Sequence, residues 1–100
     1  MERYEVLLDI VLSRLFPFQD ENVKVAKRIL REIEEGQFKS FNFYKKKDWR
    51  TVYVYRKLLR NGIVKVEYLG QGKWRRYVDK KAIEEIAKKM GIEVVSKHDT

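Results

Sequence analysis

Asp48-Trp49-Arg50-Thr51-Val52-Tyr53-Val54-Tyr55-Arg56-Lys57-Leu58-Leu59-Arg60-Asn61-Gly62 is the stretch from which the rest of the chain is read. Its pattern predicts a helix over 48–61. Asp48 is suited to cap it, because its carboxylate accepts a hydrogen bond from an unpaired first-turn N–H. Gly62 is suited to stop it, because glycine enters the left-handed region without a Cβ penalty. With side chains advancing about 100° per residue, Thr51, Val52, Tyr55, Leu58 and Leu59 gather on one side. Trp49, Arg50, Tyr53, Arg56, Lys57 and Arg60 gather on the other. The first side docks on a core. The second carries cations and aromatics with no acid among them. A face that serves only solubility mixes signs and pairs them at i, i+4. This face is built for something negative; the alternative is a basic helix that is merely solvated.

The charge distribution agrees. The 100 residues carry a net charge of +8. Residues 1–35 hold 6 Lys/Arg against 8 Asp/Glu, residues 36–80 hold 13 against 3, and residues 81–100 hold 4 against 4. The excess therefore lies in the middle segment, and a concentrated basic field is the electrostatic footprint of a polyanion binder.

Upstream, Tyr4, Leu7, Leu8, Val11, Leu12 and Leu15 recur at helical spacing and predict a first helix from Glu2 to Phe16. Val6, Ile10 and Phe16 widen its stripe beyond what one-sided burial needs. The helix is expected to contact a second copy of the chain; wrapping around its own domain is the alternative. Pro17 breaks it, and Phe16 and Phe18 of the connector are expected to pack inward. Asp20 is read as the cap of a second helix, with core residues Val23, Ala26, Ile29, Leu30 and Ile33, ending at Gly36. Phe38 is read as a brief strand and Ser40 as the cap of a short helix from Phe41 to Lys47. The run Lys45-Lys46-Lys47 is either a solvated tip or a phosphate contact.

Downstream of Gly62 the period changes to two. Ile63 to Leu69 alternates, Gly70-Gln71-Gly72-Lys73 reads as a turn, and Trp74 to Val78 returns as the partner strand. Lys73, Arg75 and Arg76 lie at or near the tip. Trp74 is read as cross-strand packing or an exposed contact. Asp79 is suited to cap a last helix, Lys80 to Met90, ended by Gly91. Residues 91–100 read as a tail.

Thr51-Val52-Tyr53, Leu58-Leu59-Arg60-Asn61-Gly62-Ile63-Val64 and Gly70-Gln71-Gly72-Lys73-Trp74-Arg75-Arg76-Tyr77, in this order of elements, resemble the winged helix-turn-helix class of DNA-binding domains over about residues 20–90. The resemblance implies an α+β, mostly helical fold with a two-stranded wing (68–77) and an extra N-terminal helix (1–19). It implies one domain over 1–100 and a recognition helix lying in the major groove of duplex DNA. Trp49, Arg50, Tyr53, Arg56 and Lys57 then reach base edges. Arg60, Lys45, Lys46 and Lys47 hold the backbone. Lys73, Arg75 and Arg76 place the wing on phosphate or in a flanking minor groove. The implied function is a small transcriptional regulator, acting as a homodimer through the N-terminal helix because one helix reads few base pairs.

Two other readings compete. Phe43, Tyr44, Trp49, Tyr53 and Trp74 interleaved with cations suit an RNA or single-strand binder. A winged helix also serves as a protein-interaction module within a transcription or replication complex. An enzyme is not expected. The chain has no cysteine, one histidine (His98) and no glycine-rich phosphate loop, and Glu34-Glu35 and Glu84-Glu85 lie on polar helix faces. No catalytic residue, metal ligand or cofactor is assigned. Without a signal peptide or a long apolar run, the expected location is cytoplasmic with no membrane partner. The Lys, Glu, Ile and Val content suits a thermophile.

Overall fold

The central helix runs from Trp49 to Arg60, and both of its ends are built by the residues the sequence singles out. Asp48 accepts from the Thr51 backbone N–H at 3.2 Å and from the Thr51 hydroxyl at 2.8 Å. At the other end the Ile63 N–H donates to Leu58 O and the Gly62 N–H to Leu59 O, both at 3.0 Å. This pair of bonds is the Schellman motif. It requires positive φ at Gly62, which stands at 77°. Leu58 and Ile63, the two apolar residues the motif brings together, are fully buried.

In the computed structural model the described residues are 3–39 and 45–91. They form an α+β arrangement, mostly helical: α1 (Arg3–Leu15), α2 (Asp20–Glu34), α3 (Trp49–Arg60), β1 (Val64–Gly70), β2 (Lys73–Val78) and α4 (Lys80–Lys89). The expected tail, apart from Gly91, and most of the expected short helix at 41–47 lie outside the described residues. Lys46 and Lys47 occupy a turn instead of continuing such a helix, Lys47 at φ 57°. Residues 37–39 form no strand, although Phe38 is buried.

One core joins the helices. Val11, Leu12 and Phe16 from the N-terminal region meet Ala26, Ile29 and Leu30 of α2. Val54 and Leu58 of α3, Ile63 and Val64 at the hairpin base, and Ile83 and Ala87 of α4 complete it. Val54, absent from the predicted docking side, is fully buried. Phe18 corrects a second expectation, being 104% exposed at φ 60°. Pro17 turns the chain immediately after Phe16 has entered the core, so two residues further on the chain faces solvent. Asp20 makes no side-chain cap. Gln19 takes the N-cap position, also without a side-chain bond to the helix backbone, and Asp20 is the first helical residue. Its charge still lies favourably at the positive helix end.

β1 and β2 pair antiparallel, Val64 opposite Val78, Val66 opposite Arg76 and Tyr68 opposite Trp74, with Leu69 the extra residue of a bulge before Gly70. Gln71 and Gly72 connect them, both at positive φ, as the tightest right-twisted hairpins require. The Asp79 N–H donates to Ile63 O at 2.8 Å and ties the hairpin base to α4. Asp79 caps α4 by accepting from the Lys81 and Ala82 N–H groups.

Candidate nucleic-acid interface

Burying Thr51, Val52, Val54, Tyr55 and Leu58 turns the opposite side of α3 outward. Trp49, Arg50, Tyr53, Arg56 and Arg60 are exposed and Lys57 is half-buried. The six side chains predicted to share a face do share it, and no acid interrupts them.

The start of this helix is pinned to α2 by a polar network. Asn22, buried, donates to Gln19 Oε1 at 3.0 Å and accepts from Arg50 Nη1 at 2.9 Å. Arg28 Nη2 donates to the buried Thr51 hydroxyl at 3.0 Å, and that hydroxyl donates to Asp48. Arg50 is therefore held by one nitrogen, while the residue stays exposed and its guanidinium has further donors. Gln19, Asn22 and Arg28 were not among the predicted functional residues. Asn22 was legible in part, because it falls in register with Ala26, Ile29 and Ile33 on the apolar stripe of α2. A polar residue there needs a partner.

Lys57 is anchored too. Its Nζ donates to Leu15 O at 2.6 Å and stands 5.0 Å from the Phe16 ring centroid and 6.0 Å from that of Tyr53. It thus closes the C-terminal end of α1 with positive charge. Phe16 and Tyr53 meet edge to face, 6.2 Å between centroids. The ammonium is shared between holding α1 and charging the outer face. Arg60 has no hydrogen bond or ion pair among the described residues.

On the hairpin, the three predicted cations separate. Lys73 is exposed at the tip. Arg75 pairs with Glu67 at 3.0 Å and covers the Tyr77 ring. Arg76, on the opposite face of the ribbon, donates to the Tyr55 hydroxyl at 2.6 Å and lies over the Phe38 and Tyr55 rings. Arg76 thereby fastens the hairpin to α3. Tyr68 and Trp74 pack as a cross-strand pair, 4.6 Å between centroids, yet Trp74 stays 64% exposed. Both readings of that tryptophan apply. Lys45, Lys46 and Lys47 are exposed just before α3. Phe43 and Tyr44, named for base stacking, lie outside the described residues.

At the base of the hairpin Lys65 and Asp79 form an ion pair at 2.5 Å. The hydrogen bond from Lys65 holds the Asp79 carboxyl below the usual carboxylate range, and the same bond to Asp79 raises the Lys65 ammonium above its ordinary value. Among the described residues, no helix is long and apolar enough to cross a membrane, and no group of three or more His, Cys, Asp or Glu side chains could hold a metal ion. No family model, curated protein or solved structure matches the chain.

Proposed function

We propose that this chain is a winged helix-turn-helix protein that binds double-stranded DNA, with α3 in the major groove and the β1–β2 hairpin as a basic wing. One observation carries the reading. The outer side of α3 presents Trp49, Arg50, Tyr53, Arg56, Lys57 and Arg60 without an acid, while the opposite side is buried in the core. A helix held this way fits a groove about 12 Å wide. Its cations neutralise phosphates on either side, the lysines at 45–47 extend the basic surface at its N-terminal end, and Lys73 adds a cation at the tip of the wing. The chain acts as a small transcriptional regulator in the cytoplasm.

A homodimer completes the proposal, because two half-sites supply specificity that one helix lacks. Its support is α1, where Val6 and Ile10, one turn apart, remain exposed after the core is formed. The test is the affinity for random duplex DNA as a function of salt, alongside a selection for preferred sequences. The expected log–log slope is roughly −4 to −8, with an enriched two-fold symmetric motif. Absence of duplex binding at low salt refutes the reading. Equal affinity for single strands would move the function to the RNA or single-strand class, and a stable protein complex with weak, sequence-indifferent DNA binding to the interaction-module class.

A further inference from the structure

The exposed aromatic residues near the start of α3 are not distributed at random. Trp49 and Tyr53 lie one turn apart on the outer face, 59% and 45% exposed. Phe18, from the turn between α1 and α2, lines the same open depression of about 770 Å³. Phe18 is fully solvent-exposed and adopts a left-handed backbone conformation, uncommon for a bulky residue. Neither property helps folding, since Phe16 already fills the core from the same connector. Tyr53 is fixed in position by its edge contact with Phe16 and by Lys57.

The charges around the depression matter as much. Asp20 and Glu21 line it, so it repels phosphate. Arg50, its cation, is tied through Nη1 to Asn22. Positive charge lies outside, along α3 at Arg60 and in the turn before it at Lys46 and Lys47. These cations lie at the margins of the depression, and beside the tied Arg50 the α3 side chains that line it are the aromatic Trp49 and Tyr53. Of the groups that base pairs expose in the major groove, the thymine C5-methyl is the apolar one.

We infer that Phe18, Trp49 and Tyr53 form an aromatic reading head that selects thymine by contact with its C5-methyl group, with Phe18 a DNA-contacting residue. This rests on the duplex-binding reading above. Arg50 orients the helix start, and guanidinium recognition of guanine is secondary. The head favours thymine-rich sites and accepts 5-methylcytosine, which carries a methyl at the same place.

The test compares an alternating A·T duplex of roughly 24 base pairs, more than two helical turns, with the same duplex carrying deoxyuridine for every thymine. Hydrogen-bonding groups are identical in the two, and only the methyls differ. Fluorescence anisotropy should give about four-fold weaker binding for each contacted methyl removed. A G·C-rich duplex should gain affinity when its cytosines are 5-methylated. Phe18→Ala and Trp49→Ala, both exposed and expected to fold normally by circular dichroism, should narrow the ratio of thymine-duplex to deoxyuridine-duplex affinity toward one, whatever their effect on overall affinity. Equal affinity of the parent chain for the two duplexes overturns the inference, as does a preference that survives in both variants. In either case DNA binding itself stands. No binding to any duplex overturns the DNA reading and this inference together.

Discussion

The most exacting prediction concerns the junction of Asp48 and Thr51. Asp48→Ala removes two acceptors, one for the Thr51 N–H and one for the Thr51 hydroxyl. Loss of an N-cap costs about 1 kcal/mol. Thr51 is only 1% exposed, so its hydroxyl proton is left without Asp48 in a dry site, though its oxygen still accepts from Arg28. That adds about 1 kcal/mol. The sum, about 2 kcal/mol, corresponds to a fall in Tm of roughly 8–16 °C for a domain of this size. Thr51→Val keeps the shape of the side chain and deletes the hydroxyl, giving up the bonds to Asp48 and Arg28 while leaving the backbone cap intact. Its cost is about 1–2 kcal/mol. Both variants remove the same hydroxyl–carboxylate bond, so the double variant should fall short of the sum of the singles by about 1 kcal/mol. Urea denaturation followed by circular dichroism supplies all three values. Costs that add to within about 0.4 kcal/mol would show that the two residues are not coupled, and the reasoning about how α3 begins would be refuted. In the functional reading, the variant that frays this end should also weaken duplex binding, because Trp49 and Arg50 lie in the first turn.

Val6→Glu combined with Ile10→Glu should leave stability within about 0.5 kcal/mol, both positions being exposed, and should convert a dimer into a monomer by analytical ultracentrifugation. A chain that is monomeric before substitution refutes the dimer. Glu67→Gln releases Arg75 from its ion pair and removes a negative charge, so duplex affinity should rise by up to about five-fold, equivalent to a surface pair of ~1 kcal/mol; a fall in affinity contradicts the placement of the wing on phosphate. The Lys65–Asp79 pair sets a pH window for stability. The depressed Asp79 carboxyl contributes above its unfolded value of 3.8, and the contribution is lost as pH falls through the folded value. The raised Lys65 contributes below 10.5 and is lost as pH rises through its folded value. Lys65→Met should therefore flatten the acid flank of the stability curve, with the part due to Asp79 capping α4 remaining. Burial, with Glu34 and Glu5 adding to it, pushes the Tyr4 phenol up to about 12. The unfolded chain binds fewer protons than the folded one between pH 10 and 12, so stability should decline across that interval. Tyr4→Phe should remove this share of the decline, measured by urea denaturation at stepped pH.

What could be read from the sequence was local. Helix α3 and both of its ends followed from Asp48, the 3.6-residue period and Gly62, because capping, periodicity and left-handed backbone are decided within a few residues. The hairpin and the cap of α4 followed for the same reason, and so did the outward face of α3. A helix with a single apolar stripe has only one side to bury. The positions at which these rules failed depend on distant parts of the chain. Val54 lies between the two faces of α3 on a helical wheel, and it is buried in the core that α3 shares with α2, which packs against it. Phe16 and Phe18 have the same side chain and nearly the same neighbours. The path of the backbone after Pro17 sends one into the core and the other into solvent.

The same division holds at the candidate interface. The identity and clustering of the cations were evident from composition. Which of them remain available was decided by tertiary contacts: Asn22 holds Arg50, the Leu15 carbonyl holds Lys57, Glu67 holds Arg75, and the Tyr55 hydroxyl holds Arg76. Three of these four bonds join residues more than 20 positions apart, and no local pattern encodes such a meeting. Charge is a property of a residue type and survives any fold, so the sequence alone could place the basic field. A hydrogen bond depends on distance and direction, and only the packed chain sets those.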